Sequence, residues 1–196
     1  IQNVLYGDFY LNGLLSGPTT TLFPKFKMVG AGKTIYGDNS STPSTAGGGV
    51  VITEDISVDA AANIHLARLQ VDGAGKTFTN NGDMTLDPWV GSNYGVVVTA
   101  GTFTNTTGGT VTLNKINSST ASGISIAATF NNNGLVDDNI NTTTTCLAGG
   151  GTFAQGASST LYTMGNITVT TFQGSASGNE VVYDGNIQQT VRVPSV

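Results

Sequence analysis

Apolar and polar positions alternate along much of this chain, in short runs separated by Gly, Asn and Ser. In "GTVTL", residues 109–113, Val111 and Leu113 alternate with Thr110 and Thr112. The runs "DMTL", "GVVVTA" and "GISIAA" are equally short and rich in β-branched residues. Alternation with a period of two places successive side chains on opposite faces of a strand. The pattern therefore predicts an all-β chain of short strands joined by tight corners.

The tripeptide Thr-Phe-X recurs along the chain, and its phenylalanines are spaced by 25, 27, 23 and 19 residues. Regular recurrence of one residue type favours stacked coils over hairpins, which need two-residue turns between long strands. We therefore predict a parallel β-solenoid, or β-helix, of about eight coils of 19–27 residues, with residues 1–196 as a single domain. The repeated rings are those of Phe78, Phe103, Phe130, Phe153 and Phe172.

Stacked coils lie about 4.8 Å apart, so the five phenylalanines are predicted to form one column in the core. Two positions further on come four amides, which are predicted to form a hydrogen-bonded amide ladder. Those amides are Asn80, Asn105, Asn132 and Gln155. The glycines that follow are expected to supply the positive φ of a corner. They are Gly82, Gly108, Gly134 and Gly156.

Three segments are expected to depart from the regular coils. Residues 1–28 and 178–196 are predicted to be edge strands at the two ends, and the turn-rich residues 37–49 a long loop. "GAGKT" occurs at 30–34 and 73–77, but both copies lack the first glycine of a phosphate-binding loop. We interpret the repeated segment as one corner used twice.

Composition narrows the possible functions. Only 10% of residues are charged, against roughly a quarter in typical domains, while the chain has 27 Gly, 30 Thr and 18 Asn. The net charge of −5 and the scattered basic residues argue against nucleic acid as a partner. There is no apolar run long enough to predict a membrane span. The single cysteine, Cys146, is expected to be a buried apolar residue.

Little in the sequence predicts catalysis, and we expect no enzymatic activity, no cofactor and no metal site. His65 is the only histidine and has no second His or Cys nearby in the sequence. Grouped carboxylates leave one alternative open, a carbohydrate-binding or carbohydrate-cleaving β-helix. The residues to consider for it are Asp83, Asp87, Asp137 and Asp138.

The segment 178–191, "GNEVVYDGNIQQTV", resembles a pattern common in very large secreted surface proteins of Bacteroidetes. In that pattern Gly-Asn-x-Val-x-Tyr-x-Gly is followed by a Gln-Thr-Val strand, amid coils rich in Gly-Thr-Phe. Such proteins include adhesin-like and filament-forming members. The resemblance implies a solenoid located outside the cell or on its surface, and it implies no active site.

Both ends of the chain are apolar and strand-forming, and neither resembles the polar cap that solenoids normally carry. Uncapped ends favour head-to-tail pairing between copies, which propagates into an open filament. We therefore predict a structural subunit or segment of an extracellular filament or adhesin, with other copies of itself as the main partner and surface glycans as candidate partners. The residues expected at the pairing ends are Ile1, Val4, Leu5, Tyr6, Val191, Val193 and Val196.

Overall fold

The computed structural model describes residues 2–10, 25–28, 31–36, 49–66, 68–88, 94–114, 122–140, 145–186 and 188–195. These residues form strands, turns and bends, and no helix. Every pairing between named strands is parallel. Parallel stacking of short strands with corners between them confirms the predicted all-β solenoid.

The coil has three faces, and each level of the coil is called a rung here. Face 1 is a ladder of strands that begins each rung. It consists of β1 (Gln2–Leu5), β3 (Lys25–Met28), β5 (Gly49–Ile52), the first part of β8 (Arg68–Asn80), the first part of β10 (Tyr94–Asn105), β12 (Ser122–Ile126), β15 (Thr145–Ala148) and β18 (Asn166–Ile167).

Face 2 follows face 1 around the coil, and β8 and β10 run through the bend between these two faces. Face 2 consists of β2 (Phe9–Tyr10), β4 (Lys33–Tyr36), β6 (Ile56–Val58), the second parts of β8 and β10, β13 (Thr129–Asn132), β16 (Thr152–Gln155) and β19 (Thr171–Gln173).

Face 3 completes the rung and forms a separate sheet of six strands. It consists of β7 (Asn63–Leu66), β9 (Asp83–Leu86), β11 (Thr110–Asn114), β14 (Leu135–Asn139), β17 (Thr160–Thr163) and β20 (Glu180–Tyr183). Within the described residues face 3 has no strand before β7, so the solenoid has about six turns. The predicted count of about eight coils was too high, because the first two rungs contribute described strands to two faces only.

The predicted phenylalanine column is present on the inner side of face 2. Successive rings lie in register, with centroids 5.1, 4.3, 5.1 and 5.9 Å apart from Phe78 to Phe172. All five rings are fully buried. Below Phe78 the column continues as Ile56 and then Lys33. The aromatic part therefore begins only at the fourth rung of this face.

The predicted amide ladder is present beside the rings. The amide nitrogens of Asn80, Asn105 and Asn132 each donate to the amide oxygen on the next rung, at 2.9, 3.0 and 2.7 Å. Gln155 then donates to the Glu180 carbonyl at 3.0 Å. All four side chains are buried. The ladder thus satisfies polar groups inside an otherwise apolar core.

The prediction for the corner glycines was wrong. Positive φ occurs at Gly32, Gly75, Gly101, Gly149 and Gly178, and at none of the four predicted positions. Gly82 and Gly134 have another role, because a Cβ there would overlap backbone carbonyl oxygens of the preceding rung. Close approach of two rungs, and not an unusual φ, explains the absence of a side chain at these two corners.

The repeated segment "GAGKT" is a corner in both copies. Its second glycine has φ of 71° at Gly32 and 70° at Gly75. In each copy the threonine N–H donates to an aspartate of the preceding rung, Thr34 to Asp8 at 3.0 Å and Thr77 to Asp55 at 2.8 Å. The interpretation as a corner is confirmed. Of the predicted loop 37–49, residues 37–48 lie outside the described residues and Gly49 belongs to β5.

Candidate assembly surfaces and buried polar pairs

At the N-terminal end of the solenoid, the first described strands are paired on one side only. Among the described residues, β1 pairs only with β3 and β2 only with β4. Leu5 is half-buried and contacts the core, while Val4 and Tyr6 are 43% and 77% exposed. Tyr10 is 65% exposed and stacks on Tyr36 with ring centroids 5.0 Å apart. Within the described residues, this end combines strands that pair on one side only with exposed apolar side chains, the combination that favours strand addition.

The C-terminal end differs, because residues 188–195 lie across the last rung. We name this segment the strap. Its Ser195 N–H donates to the Phe172 carbonyl at 2.6 Å, and Ser195 forms a parallel bridge with Gln173. Thr190 N–H donates to the Asn166 side chain at 3.1 Å. The strap therefore covers the edges of β18 and β19, contrary to our prediction that this end is uncapped.

Side chains hold most of the strap in place. The Gln189 amide donates to the Thr163 carbonyl at 2.8 Å and accepts the Gly185 N–H at 2.9 Å. The Tyr183 hydroxyl accepts the Arg192 N–H at 2.8 Å. These contacts give the segment 178–191 a structural role, because its Tyr, Gly and Gln position the strap.

The exposed large apolar side chains in the described part of the chain all lie near the two ends. They are Val4, Tyr6, Tyr10, Val191 and Val193. By contrast, the outer side of face 2 carries a column of half-buried threonines in register: Thr77, Thr102, Thr129, Thr152 and Thr171. Of the predicted pairing residues, Ile1 and Val196 lie outside the described residues. The exposed apolar side chains therefore lie near the ends, whereas the outer column on face 2 consists of half-buried threonines.

The four carboxylates suggested for a carbohydrate site do not come together. Asp83 is exposed on the outer side of face 3, and Asp137 is half-buried there, two rungs away and in another column. Asp138 points into the core and Asp87 is buried after β9. Given about 4.8 Å per rung, Asp83 and Asp137 are roughly 10 Å or more apart, beyond the usual carboxyl separation in glycosidases.

His65 has a partner that the sequence analysis missed. Its Nε2 contacts Oδ2 of Asp87, one rung further along, and both side chains are buried. Oδ1 of Asp87 is buried without a hydrogen-bond partner among the described residues. The two residues are 22 positions apart in the sequence, which is about the length of one coil. This separation is the sequence feature that could have indicated their contact. Among the described residues no three potential metal ligands come together.

A second buried polar group lies inside the later rungs. Burial raises the pKa of the Asp138 carboxyl group to about 7, against the lowering effect of the neighbouring Cys146 thiol and the Ile140 N–H. Burial also raises the pKa of Cys146 well above its usual value. Cys146 is fully buried, as predicted. The Ile140 N–H donates to Oδ1 of Asp138 at 3.2 Å, and apart from the neighbouring Cys146 thiol Oδ2 has no hydrogen-bond partner among the described residues.

The second "GAGKT" corner carries an exposed charge cluster. Lys76 lies 2.9 Å from Glu54 and 3.4 Å from Asp55. The Thr77 N–H, and then Lys76, lower the pKa of Asp55, while the hydrogen bond to Glu54 is the main cause that raises the pKa of Lys76. Exposed pairs of this kind contribute little to stability.

Comparison with protein-family models, with curated proteins and with solved structures finds no match to this chain. The described residues also contain no helix that could cross a membrane. The class of protein that the structure defines is a parallel β-solenoid.

Proposed function

We propose that this chain is a structural subunit or segment of an extracellular surface filament or adhesin, which lengthens by strand pairing between solenoid ends. The observation that carries the proposal is that the large apolar side chains exposed in the described part of the chain all lie near the two ends. Open strand edges supply the backbone donors and acceptors for a further rung. A heterologous end-to-end contact does not close on itself, so it builds a rod.

Composition supports the same proposal. The low content of charged residues and the abundance of Thr, Asn and Gly are typical of a long repetitive surface. A site that attracts a charged ligand by electrostatic steering would need more charged residues. The location outside the cell rests on the resemblance of residues 178–191 to secreted surface proteins. The joint between neighbouring units is either non-covalent or part of one longer polypeptide, and both use the same strand pairing.

Assembly of the purified chain tests the proposal. We expect the mass measured by light scattering to rise with concentration, and negative-stain micrographs to show rods one solenoid wide. Tyr6→Lys places a charge at the open edge, where lysine is known to prevent strand addition, so it should lower the assembled fraction about tenfold.

The matched control is Tyr162→Lys, which makes the same substitution on the half-buried outer side of face 3. It should assemble like the parent chain. Discrete monomers at all concentrations, or equal losses in the two variants, would contradict the proposal. Monomers that bind or degrade a polysaccharide would support the alternative β-helix function.

A further inference from the structure

The structure points to a second role for the strap, one that rests on the proposed function. We propose that residues 188–195 occupy the place that the first rung of a second copy takes in the assembled rod. Release of the strap then exposes the edges of β18 and β19 and permits growth at the C-terminal end. The partner is the N-terminal rung, residues 2–10, of another copy of this chain.

The strap is bound less regularly than a rung. Among the described residues, one backbone-to-backbone hydrogen bond joins it to face 2, from Ser195 N–H to the Phe172 carbonyl. The N–H groups of Thr190 and Arg192 donate instead to side chains, those of Asn166 and Tyr183. By contrast, β16 and β19 pair through three consecutive residues. An incoming strand that forms a full ladder can therefore replace the strap.

Pro194 shows that the strap ends the ladder. Successive residues of a strand direct their backbone groups to opposite edges, and Ser195 directs its N–H at the last rung. Pro194 therefore faces the open edge, where it has no N–H to offer to a further strand. Proline at an open edge is a common means of preventing strand addition. With the strap in place, this end is a poor acceptor.

The first rung has a shape that fits the last one. Phe9 is in register with Ile35. Counting back two residues at the same register assigns Gly7 to the column of Lys33, Ile56 and Phe78. If the columns continue across the joint, Gly7 of the second copy lies over Phe172, where it leaves room for the ring.

Phe9 of the second copy then lies over Gly174, the position that continues the amide column. The strap fills this space now, because a Cβ at Gly174 would lie 2.9 Å from the Pro194 ring. In both columns a large residue faces a glycine across the joint. The N-terminal rung of a second copy therefore fits where Pro194 is seated.

A reversible lock on the full-length chain tests the proposal. Gln173 and Ser195 are Cα partners, and parallel neighbours about 4.8 Å apart are within the reach of a disulfide. Cys146 is buried and should not compete for oxidation. We expect the oxidised Gln173→Cys/Ser195→Cys variant to elongate about tenfold more slowly than the parent chain, and the reduced variant to recover.

Gln189→Ala loosens the strap by removing its bonds to the Thr163 carbonyl and the Gly185 N–H. It should speed elongation several-fold, since each lost bond weakens the strap only modestly. Gln188→Ala, at the exposed neighbouring position, is the matched control and should leave the rate unchanged. Circular dichroism of each variant checks that the solenoid is still folded.

The outcomes separate this inference from the proposed function. Assembly of the parent chain at a rate that neither the lock nor Gln189→Ala changes would overturn the role of the strap and leave the proposed function intact. Faster growth of the locked form would also overturn it, because the strap would then be the binding surface. Absence of assembly in every variant, loosened or reduced, would refute the proposed function itself.

Discussion

The early and late rungs of the solenoid follow the same backbone path, but different residue types occupy the equivalent core positions. The column that holds Asn80, Asn105 and Asn132 continues into the earlier rungs as Val58 and Ile35. On face 3 the column through Leu66, Leu86 and Leu113 continues into the later rungs as Asp138, Thr163 and Tyr183. In both columns apolar residues come first and polar residues follow.

This difference shows that backbone pairing between strands determines how the rungs stack. The side chains determine whether successive rungs need the same residue type at a given core position. Apolar neighbours tolerate exchange, because burial is not directional. A buried polar group instead needs a partner on the same or the next rung. The amide column has such partners, and Asp138 is only partly satisfied. The three predictions below test this contrast.

The largest expected effect concerns Asp138 and pH. Its folded-state pKa of about 7 lies above the ordinary 3.8, so the folded state holds the proton more tightly than the unfolded state. This contribution to stability is complete below about pH 4 and is lost as pH rises to about 7. The Asp138→Asn variant has no carboxyl group to titrate at this position, so this loss does not occur in it. From pH 5 to pH 8 its free energy of unfolding should therefore rise relative to that of the parent chain by on the order of 3 kcal/mol.

Urea unfolding at pH 5 and at pH 8 measures this change. Asp83→Asn is the matched control, because Asp83 is exposed on the outer side of face 3, and this variant should show the same difference between the two pH values as the parent chain. The Cys146 thiol stays neutral across this range. A parent chain equally stable at both pH values, or a variant with the same slope as the parent, would show that Asp138 is satisfied.

The regular part of the fold was predictable from sequence because it repeats. The spacing of Thr-Phe-X placed five rings in one column, and the fixed offset placed the amides beside them. Early rungs lack both signals, since Ile56 and Val58 occupy those positions. The predicted count of about eight coils differs from the observed count of about six turns for another reason, because the first two rungs have described strands on two faces only. The corner glycines were explained by a positive φ, whereas close approach of neighbouring rungs explains two of them. The sequence of one rung does not show how closely the next rung approaches it.

The second prediction concerns the amide ladder. In Asn105→Leu a residue of similar size replaces an amide that donates to the Gly109 and Leu135 carbonyls and to Asn132. The rung then resembles the early ones, but its neighbours remain polar: Asn80 loses its acceptor and Asn132 loses its donor. We expect a cost of about 2–3 kcal/mol. Denaturant unfolding measures this cost.

Asn131→Leu is the control for this prediction, since Asn131 lies on the outer side of the same face and is half-buried. It should change the free energy of unfolding by less than about 0.5 kcal/mol. Equal costs at positions 105 and 131 would mean that the ladder adds nothing beyond ordinary packing.

The ends were less predictable than the middle. Exposed apolar residues were expected at both, and Val4, Tyr6, Val191 and Val193 are exposed. The sequence analysis did not predict the strap. Its contacts join Gln189 and Arg192 to residues that are distant in the sequence, and these contacts follow no repeated motif. The pairing of His65 with Asp87 was missed for a similar reason, since one-coil separation becomes informative only when the register is known.

The smallest expected effect lies at the boundary between the two kinds of rung. Val58 is buried directly below Asn80, whose Oδ1 is buried without a hydrogen-bond partner among the described residues. Val58→Asn would extend the ladder by one amide, which donates to that oxygen. The new side chain brings its own unpaired oxygen, so the gain and the cost nearly cancel, to within about 1 kcal/mol.

Ile35→Asn is the comparison for Val58→Asn, because Ile35 lies one rung lower in the same column and has only Val58 above it. An amide there has no amide neighbour, so it should cost at least about 2 kcal/mol more than the same amide at position 58. Unfolding free energies give the difference between the two variants. Slow hydrogen exchange of the new side-chain amide at position 58 would show the added bond directly. Similar costs at both positions would mean that Asn80 gains nothing from an amide below it, and that the ladder ends there because of packing and not because of hydrogen bonding.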